Sequence, residues 1–261
     1  MQLNNFSDFA IRGTDVTNFT LNRSVVSGAN GDSVPSREGS VIFNNLFGTA
    51  TVSHSTISGG VEDNLRVENT SGTLTSFTLS GTGGTGSSCQ ILNNSTATGN
   101  VGFRFAAFNS ANMTASVSNC LFRGNRTDSI NIDAANTSTV TSTVTNNYIL
   151  AGTGGSNQGN LGINVTSGAT GLHTTTVSGN FVGTDGVTPA SLLNTGINLF
   201  SGNGSTLVAT VTSNTVRNAG TGSGHGIQVF QDLTSTLRVN VDGNTVSNVA
   251  LDFGIRVEAA G

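Results

Sequence analysis

The chain contains no lysine and no tryptophan, and only two prolines, two cysteines and one tyrosine in 261 residues. Charged residues make up 9 %, against roughly 25 % in an average soluble domain. All ten basic residues are arginine, and the net charge is −4. A thin negative balance without a basic stripe excludes the electrostatic footprint that nucleic acid needs. No apolar run approaches the ~20 residues of a membrane span. The opening Met1-Gln2-Leu3-Asn4-Asn5 lacks the charged and apolar regions of a signal peptide. Two cysteines give no disulfide framework. His54, His173 and His225 are too far apart for metal-ligand spacing, so no metal is expected. Gly81-Thr82-Gly83-Gly84-Thr85-Gly86 lacks the Lys-Ser/Thr and the helix of a phosphate loop, so no cofactor is expected either.

What is abundant is small and polar. Ser, Thr and Asn form roughly two-fifths of the chain, and Gly adds 35 residues. Hydrophobic residues reach 35 %, mostly β-branched, with 14 Phe. That set suits strands, and its strong patterning argues against the disorder that a low charge and many hydroxyls otherwise suggest.

The pattern is a repeat. Val241-Asp242-Gly243-Asn244-Thr245-Val246 recurs as Val211-Thr212-Ser213-Asn214-Thr215-Val216, as Val177-Ser178-Gly179-Asn180-Phe181-Val182 and as Val144-Thr145-Asn146-Asn147-Tyr148-Ile149. Read as a first strand, it has copies starting at Leu21, Val52, Leu74, Val117, Val144, Val177, Val211 and Val241. A second strand, apolar-x-apolar, follows each, from Val41-Ile42-Phe43 to Ile255-Arg256-Val257. A Thr-rich third strand, such as Val140-Thr141-Ser142, precedes the next first strand. From the second strand to the next first strand there are 14 positions in each of the last five intervals, as in Phe103 to Val117. The other connection varies widely, so one turn is fixed and another tolerates insertion.

Three short strands in a period of ~22–34 residues predict a parallel β-solenoid. About eight coils at about 4.8 Å each give a rod of roughly 38 Å. Alternation places Val241 and Val246 in the core and Asp242 and Thr245 in water. Gly243 or Asn146 falls where the turn calls for positive φ. Asn147, Asn180, Asn214 and Asn244 would stack as an amide ladder that satisfies backbone groups at the bend. Ser24, Ser55, Phe77 and Cys120 take that slot in earlier coils, which predicts a less regular first half. Cys120 reads as a small buried hydrophobe. Cys89 lies in the longest insertion. A bond between them requires the insertion to fold back to a Cα separation of ~5.5 Å, and two free thiols are the favoured reading.

From about Phe19 onward the chain resembles the right-handed parallel β-helix family, pectate-lyase-like proteins and related bacterial surface proteins, in its V-x-x-N-x-V pattern, inter-strand Gly and Asn column. Right-handedness follows from that resemblance and from crossover chirality. The reading is all-β, with 1–261 as a single domain and a piece of a longer repeat protein whose neighbouring repeats are its partners. Gly224-His225-Gly226 with Arg256 about one coil later is similar to motifs of polygalacturonase-type glycosidases in this family. Glu258 stands where that family has Lys, and Leu192-Leu193 where it has paired acids. Glycoside hydrolysis needs two carboxylates on the substrate face, and acidic residues such as Asp128, Asp133, Asp185 and Asp252 are scattered along the chain. His225 is expected to be exposed at a tight turn.

Two outward faces remain. On the second strand, Arg66, Arg104, Asn131, Asn164, Asn198, Gln228 and Arg256 form one column, with Glu68, Asp133, Phe200, Phe230 and Glu258 beside it. Amides, guanidinium groups and aromatic rings on a flat sheet suit the hydroxyls and C–H faces of sugars, and variable loops (27–40, 80–100, 150–160, 183–195 and 217–226) would rim the face. Beside the inward Val of the first strand run Thr51 and Ser53, Thr73 and Thr75, Ser116 and Ser118, Thr143 and Thr145, Thr176 and Ser178, and Thr210 and Thr212. This double hydroxyl column resembles ice-binding solenoids. The expected function is a non-enzymatic, extracellular or cell-surface scaffold or adhesin segment, with polysaccharide or surface glycan as ligand. The alternatives are a polysaccharide-active enzyme of the same fold and an ice-binding solenoid.

Overall fold

The structure is a computed structural model and describes residues 1–95, 97–152, 159–184, 194–217, 224–232, 234–249 and 253–259. Among these, every regular element is a strand and every strand pairing is parallel. The chain is a parallel β-helix of about eight coils, each turning through three columns of strands. The first column holds short strands, such as Leu121–Arg123, Tyr148–Leu150 and Phe181–Gly183. The second holds Phe103–Ala107, Ile130–Ala135, Leu161–Gly168, Thr195–Ser201 and their counterparts. The third holds Asn112–Ser118, Thr139–Thr145, Leu172–Ser178, Thr206–Thr212 and Thr236–Asp242.

The second and third columns belong to one 15-stranded sheet, because two long strands bridge them. Phe9–Asn22 and Gly39–Ser53 run through the corner that breaks every later coil. The repeat also begins earlier than Phe19: Gln2–Phe6 pairs with Val25–Asn30, and Ile11 with Val41.

Three sequence expectations shift. The V-x-x-N-x-V pattern is not one strand but a corner. Val241 is the penultimate residue of Thr236–Asp242, and Val246 lies in Thr245–Ser247 beyond it. The Thr-rich third strand is the opening half of the strand that ends at this corner. The register also moves in the third coil. Leu79, not Leu74, pairs with Val52 and Val117. The corner slot there is held by Cys89 rather than Phe77, because 81–88 are inserted inside the corner. The backbone N–H groups of Gly81 and Gly83 bind the carbonyls of Ser118 and Asn119, tying the insert to the next coil. Third, Cys89 and Cys120 occupy matching slots in adjacent coils and form a disulfide, their Cα atoms 4.8 Å apart. The two free thiols expected from sequence do not occur.

The core is a set of axial columns. Leu21, Val52, Leu79, Val117, Val144, Val177, Val211 and Val241 stack in register, and all but Val241 are buried. Each buried Val or Leu contributes about 1.5–3 kcal/mol of transfer free energy. Phe77, Phe103 and Phe105 fill the middle with ring centroids 5.5–6.1 Å apart.

Polar ladders line the corners, where the turning backbone leaves groups unpaired. Asn180 Nδ2 donates to Val144 O at 2.8 Å and to Asn214 Oδ1 at 3.0 Å. Asn147 and Asn214 repeat this geometry, and Asn244 Nδ2 donates to Val211 O. The preceding residue takes a left-handed φ in coil after coil, with Asn146 at 56°, Gly179 at 66°, Ser213 at 57° and Gly243 at 61°. A serine ladder holds the corner between the second and third columns: Ser138, Ser205 and Ser235 donate to Ala107, Ser167 and Ser201 carbonyls at 2.7–3.0 Å. Buried Asn30, Asn64 and Asn125 line the remaining corner, donating to Ser58, Leu92 and Ile91 carbonyls.

Candidate functional site on the second column

Parallel pairing brings the outward residues of the second column into line. Arg66, Arg104, Asn131, Asn164, Asn198, Gln228 and Arg256 are successive register partners. Glu68, Ala106, Asp133, Thr166, Phe200, Phe230 and Glu258 form the column beside them. Both columns stand as the repeat predicts. Their exposure does not, because segments before the second strand fold over the N-terminal part of the face.

Arg66 is 2 % exposed. Its Nη1 reaches Asp63 Oδ2 at 3.2 Å, and its Nη2 donates to Arg37 O at 2.7 Å. Asn131 and Asn164 are buried as well, and both donate to Asp128 Oδ2 at 3.0 Å. Asn198 Nδ2 donates to Asn164 Oδ1 at 2.9 Å. Asn131 and Asn164 thus form an inner network instead of facing solvent, and the half-buried Asn198 caps it. His225 is also buried, against expectation. Arg256 Nη1 lies 3.1 Å from its Nε2, and Phe253 N–H from its Nδ1 at 3.4 Å. Arg256 in turn pairs with Glu258.

The accessible part is formed by the exposed Arg37 and the half-buried Arg104, Asp133 and Thr166 around a buried Glu68. Arg104 Nε donates to Glu68 Oε1 at 2.8 Å, and its Nη2 lies 3.5 Å from Asp133 Oδ2. Arg37, from the 27–40 loop, grips Glu68 through two bonds of 2.7 and 2.9 Å. Thr166 donates to Asp133. Burial alone would raise the Glu68 carboxyl, but the Arg37 hydrogen bond and the charges of Arg104, Arg37 and Arg66 outweigh it and hold it below the usual range. Burial raises Asp133 despite Arg104, and raises Asp128 despite its two Asn donors.

Two hollows open where the second column meets the serine corner, one on either side of Phe108. One, of about 420 Å³, is lined by Arg37, Asn44, Asn45, Glu68, Thr70, Asn109 and Asn136. The other, of about 280 Å³, is lined by Asp133, Ala135, Thr166, Gly168 and Phe200. Phe200 stacks on Phe230 with centroids 5.6 Å apart and planes 11° apart. Both hollows thus sit beside the turn of fixed length, and the variable 27–40 loop reaches the first of them through Arg37. Of those loops, 153–158, 185–193 and 218–223 lie outside the described residues, as do Asp185, Leu192, Leu193 and Asp252.

Sequence reasoning missed Phe108, Arg37 and Asp128. Asp128 was legible in position, two residues ahead of Ile130 and so next to the outward column. Arg37 sits in a loop of variable length, where the repeat carries no register. Phe108 falls just past the strand end, where the period-2 rule stops. Among the described residues no cluster of metal-ligating side chains occurs, and no helix is long and apolar enough to cross a membrane.

The hydroxyl face is continuous once the register of the third coil is corrected. Thr20, Thr51, Thr78, Ser116, Thr143, Thr176 and Thr210 make one column, ended by Asn240. Thr78 and Ser80 take the places expected for Thr73 and Thr75. No family model, curated protein or solved structure matches the chain.

Proposed function

We propose that the chain is a non-enzymatic scaffold or adhesin segment, outside the cell or on its surface, that binds glycan along the second column. The observation that carries the reading is the pair of hollows flanking Phe108. They combine the rings of Phe108 and Phe200 with the Glu68 and Asp133 carboxylates and the Arg37 guanidinium, and Arg104 pairs with both carboxylates. Sugar recognition uses both: apolar C–H faces against rings, hydroxyls against fixed hydrogen-bonding groups. A glycan array comparing wild type with Phe230→Ala and Arg104→Ala tests it. Binding weakened by both changes supports the reading, and no binding leaves the scaffold role alone. Release of new reducing ends or unsaturated products from pectin-like polymers, lost in His225→Ala, would replace binding by catalysis.

A second reading rests on the hydroxyl column of the third strands. Seven stacked Thr or Ser side chains at about 4.8 Å intervals on a flat sheet support ordering of water at an ice surface. Thermal hysteresis with faceted crystals would establish it, and its absence would remove it.

A further inference from the structure

The column Thr166, Phe200, Phe230 has rings in two coils and a small side chain in the coil before them. The Phe200 ring lies over Gly202, so closely that a Cβ there would sit 2.6 Å from Cζ. One coil earlier the matching pair is Thr166 and Gly168, and a Cβ on Gly168 would meet nothing within 4 Å. The hollow of about 280 Å³ is therefore the place of a missing ring. One face of Phe200 is taken by Phe230, and the other is left to the hollow, with Phe108 closing the far end. Phe108 follows Phe103–Ala107, three coils before Phe200, which sets the slot at about 14 Å along the axis. Its volume of about 280 Å³ lies at the lower edge of the ~300–1,000 Å³ of small-molecule sites, which suits one small ligand rather than a buried chain. The polar edge is Asp133 with Thr166.

We propose that this hollow is a slot for a single uncharged pyranose ring, with an apolar C–H face on Phe200 and hydroxyls on the Asp133–Thr166 edge. The proposal deepens the glycan-binding reading and rests on it. Asp133 is answered by Arg104 at 3.5 Å, so the edge carries acceptors and donors without the excess charge that would select a uronate or an amino sugar. Phe200 supplies the aromatic surface, and the bare Gly168 supplies the depth.

The substitution Thr166→Phe separates the slot from the rest of the face. A ring at 166 would lie on Gly168 as Phe200 lies on Gly202, extend the aromatic stack and plug the hollow. Binding is measured on immobilised neutral oligosaccharides (mannan, galactan and β-glucan fragments), with polygalacturonate as the charged probe. Wild type is expected to bind a neutral oligosaccharide, and Thr166→Phe and Phe200→Ala to weaken that binding at least ~10-fold. Phe181→Ala, on the first column, should leave it unchanged. Phe200→Ala keeps the test informative if the larger side chain disturbs folding. Neutral-sugar binding untouched by Thr166→Phe and Phe200→Ala overturns the slot while the broader reading stands. Binding of polygalacturonate alone overturns the ligand class. No binding by wild type to any probe overturns both readings.

Discussion

Asn147 Oδ1 accepts the backbone N–H of Cys120 at 3.0 Å, so the amide ladder ends on a residue covalently bonded to the coil before it. Ser24, Ser55, Cys89, Cys120 and the four Asn side chains thus occupy one structural slot by three chemistries. Hydroxyls serve the first coils, with Ser24 N–H donating to Ser55 Oγ at 3.1 Å. A disulfide serves the middle, and amides serve the rest.

Position within the ladder sets the cost of breaking it. Asn180→Ala removes the acceptor of both Asn147 donors and orphans the Val144 carbonyl, all buried. At ~1 kcal/mol or more for each buried group left unpaired, we expect a loss of about 3 kcal/mol in denaturant unfolding. Asn244→Ala, in a partly exposed coil, should cost less than half of that.

The disulfide should resist reductant in the native state, because Cys89 and Cys120 are both fully buried. Thiol labelling with mass readout should show neither cysteine modified until the chain unfolds. Cys89→Ala with Cys120→Ala removes a cross-link spanning 31 residues. It should lower stability by about 3 kcal/mol, and labelling of native wild type under mild reductant would contradict the buried placement.

Ser213 holds a left-handed φ of 57° that Gly179 and Gly243 hold at the same corner. The left-handed region costs a side-chain-bearing residue roughly 1–2 kcal/mol, while Gly gives back roughly 0.5–1 kcal/mol in chain entropy. The first effect is the larger, so Ser213→Gly should stabilise by about 0.5 kcal/mol. A lower midpoint in thermal unfolding would show that its hydroxyl matters more than its backbone.

His173 is fully buried, with Nε2 2.9 Å from Ser142 Oγ and Nδ1 3.1 Å from the Thr166 carbonyl oxygen. Burial pushes its pKa down to about 4, against ~6.5 in the unfolded chain. Below pH ~6.5 the unfolded chain binds a proton that the folded chain refuses. The stability this group contributes is therefore complete above pH ~6.5 and is lost as the pH falls towards 4. The span corresponds to about 3 kcal/mol. Asp128 and Asp133 act with the opposite sign, since their raised pKa values favour the fold at low pH and that contribution fades as the pH rises. Leu207 holds the next place in the same column. His173→Leu should remove the acid-side loss relative to wild type when unfolding is compared at pH 7 and pH 4.5.

The repeat made the fold legible because stacking imposes the same residue type on each axial column. Val144, Val177 and Val211 declare the core, and Asn147, Asn180 and Asn214 declare the corner. Register failed where the period was interrupted: the insert at 81–88 moved the slot from Phe77 to Cys89, and only pairing across coils reveals it. The outward columns were legible in membership but not in burial. Whether Asn131 faces solvent depends on Asp128, from the connecting segment ahead of its own strand. His173 was legible as a position on a strand, yet its neutral state comes from full burial, which only the packing of coils around it reveals.

The bond between Cys89 and Cys120 also bears on how the rod yields to tension. A chain pulled from its two ends would peel coils away from either side. The 31-residue span between the cysteines would stay closed. At ~3.4 Å per extended residue, roughly 100 Å of contour would be withheld until the bond is reduced. The covalent tie thus divides the solenoid into two arms that unravel separately about one fixed link.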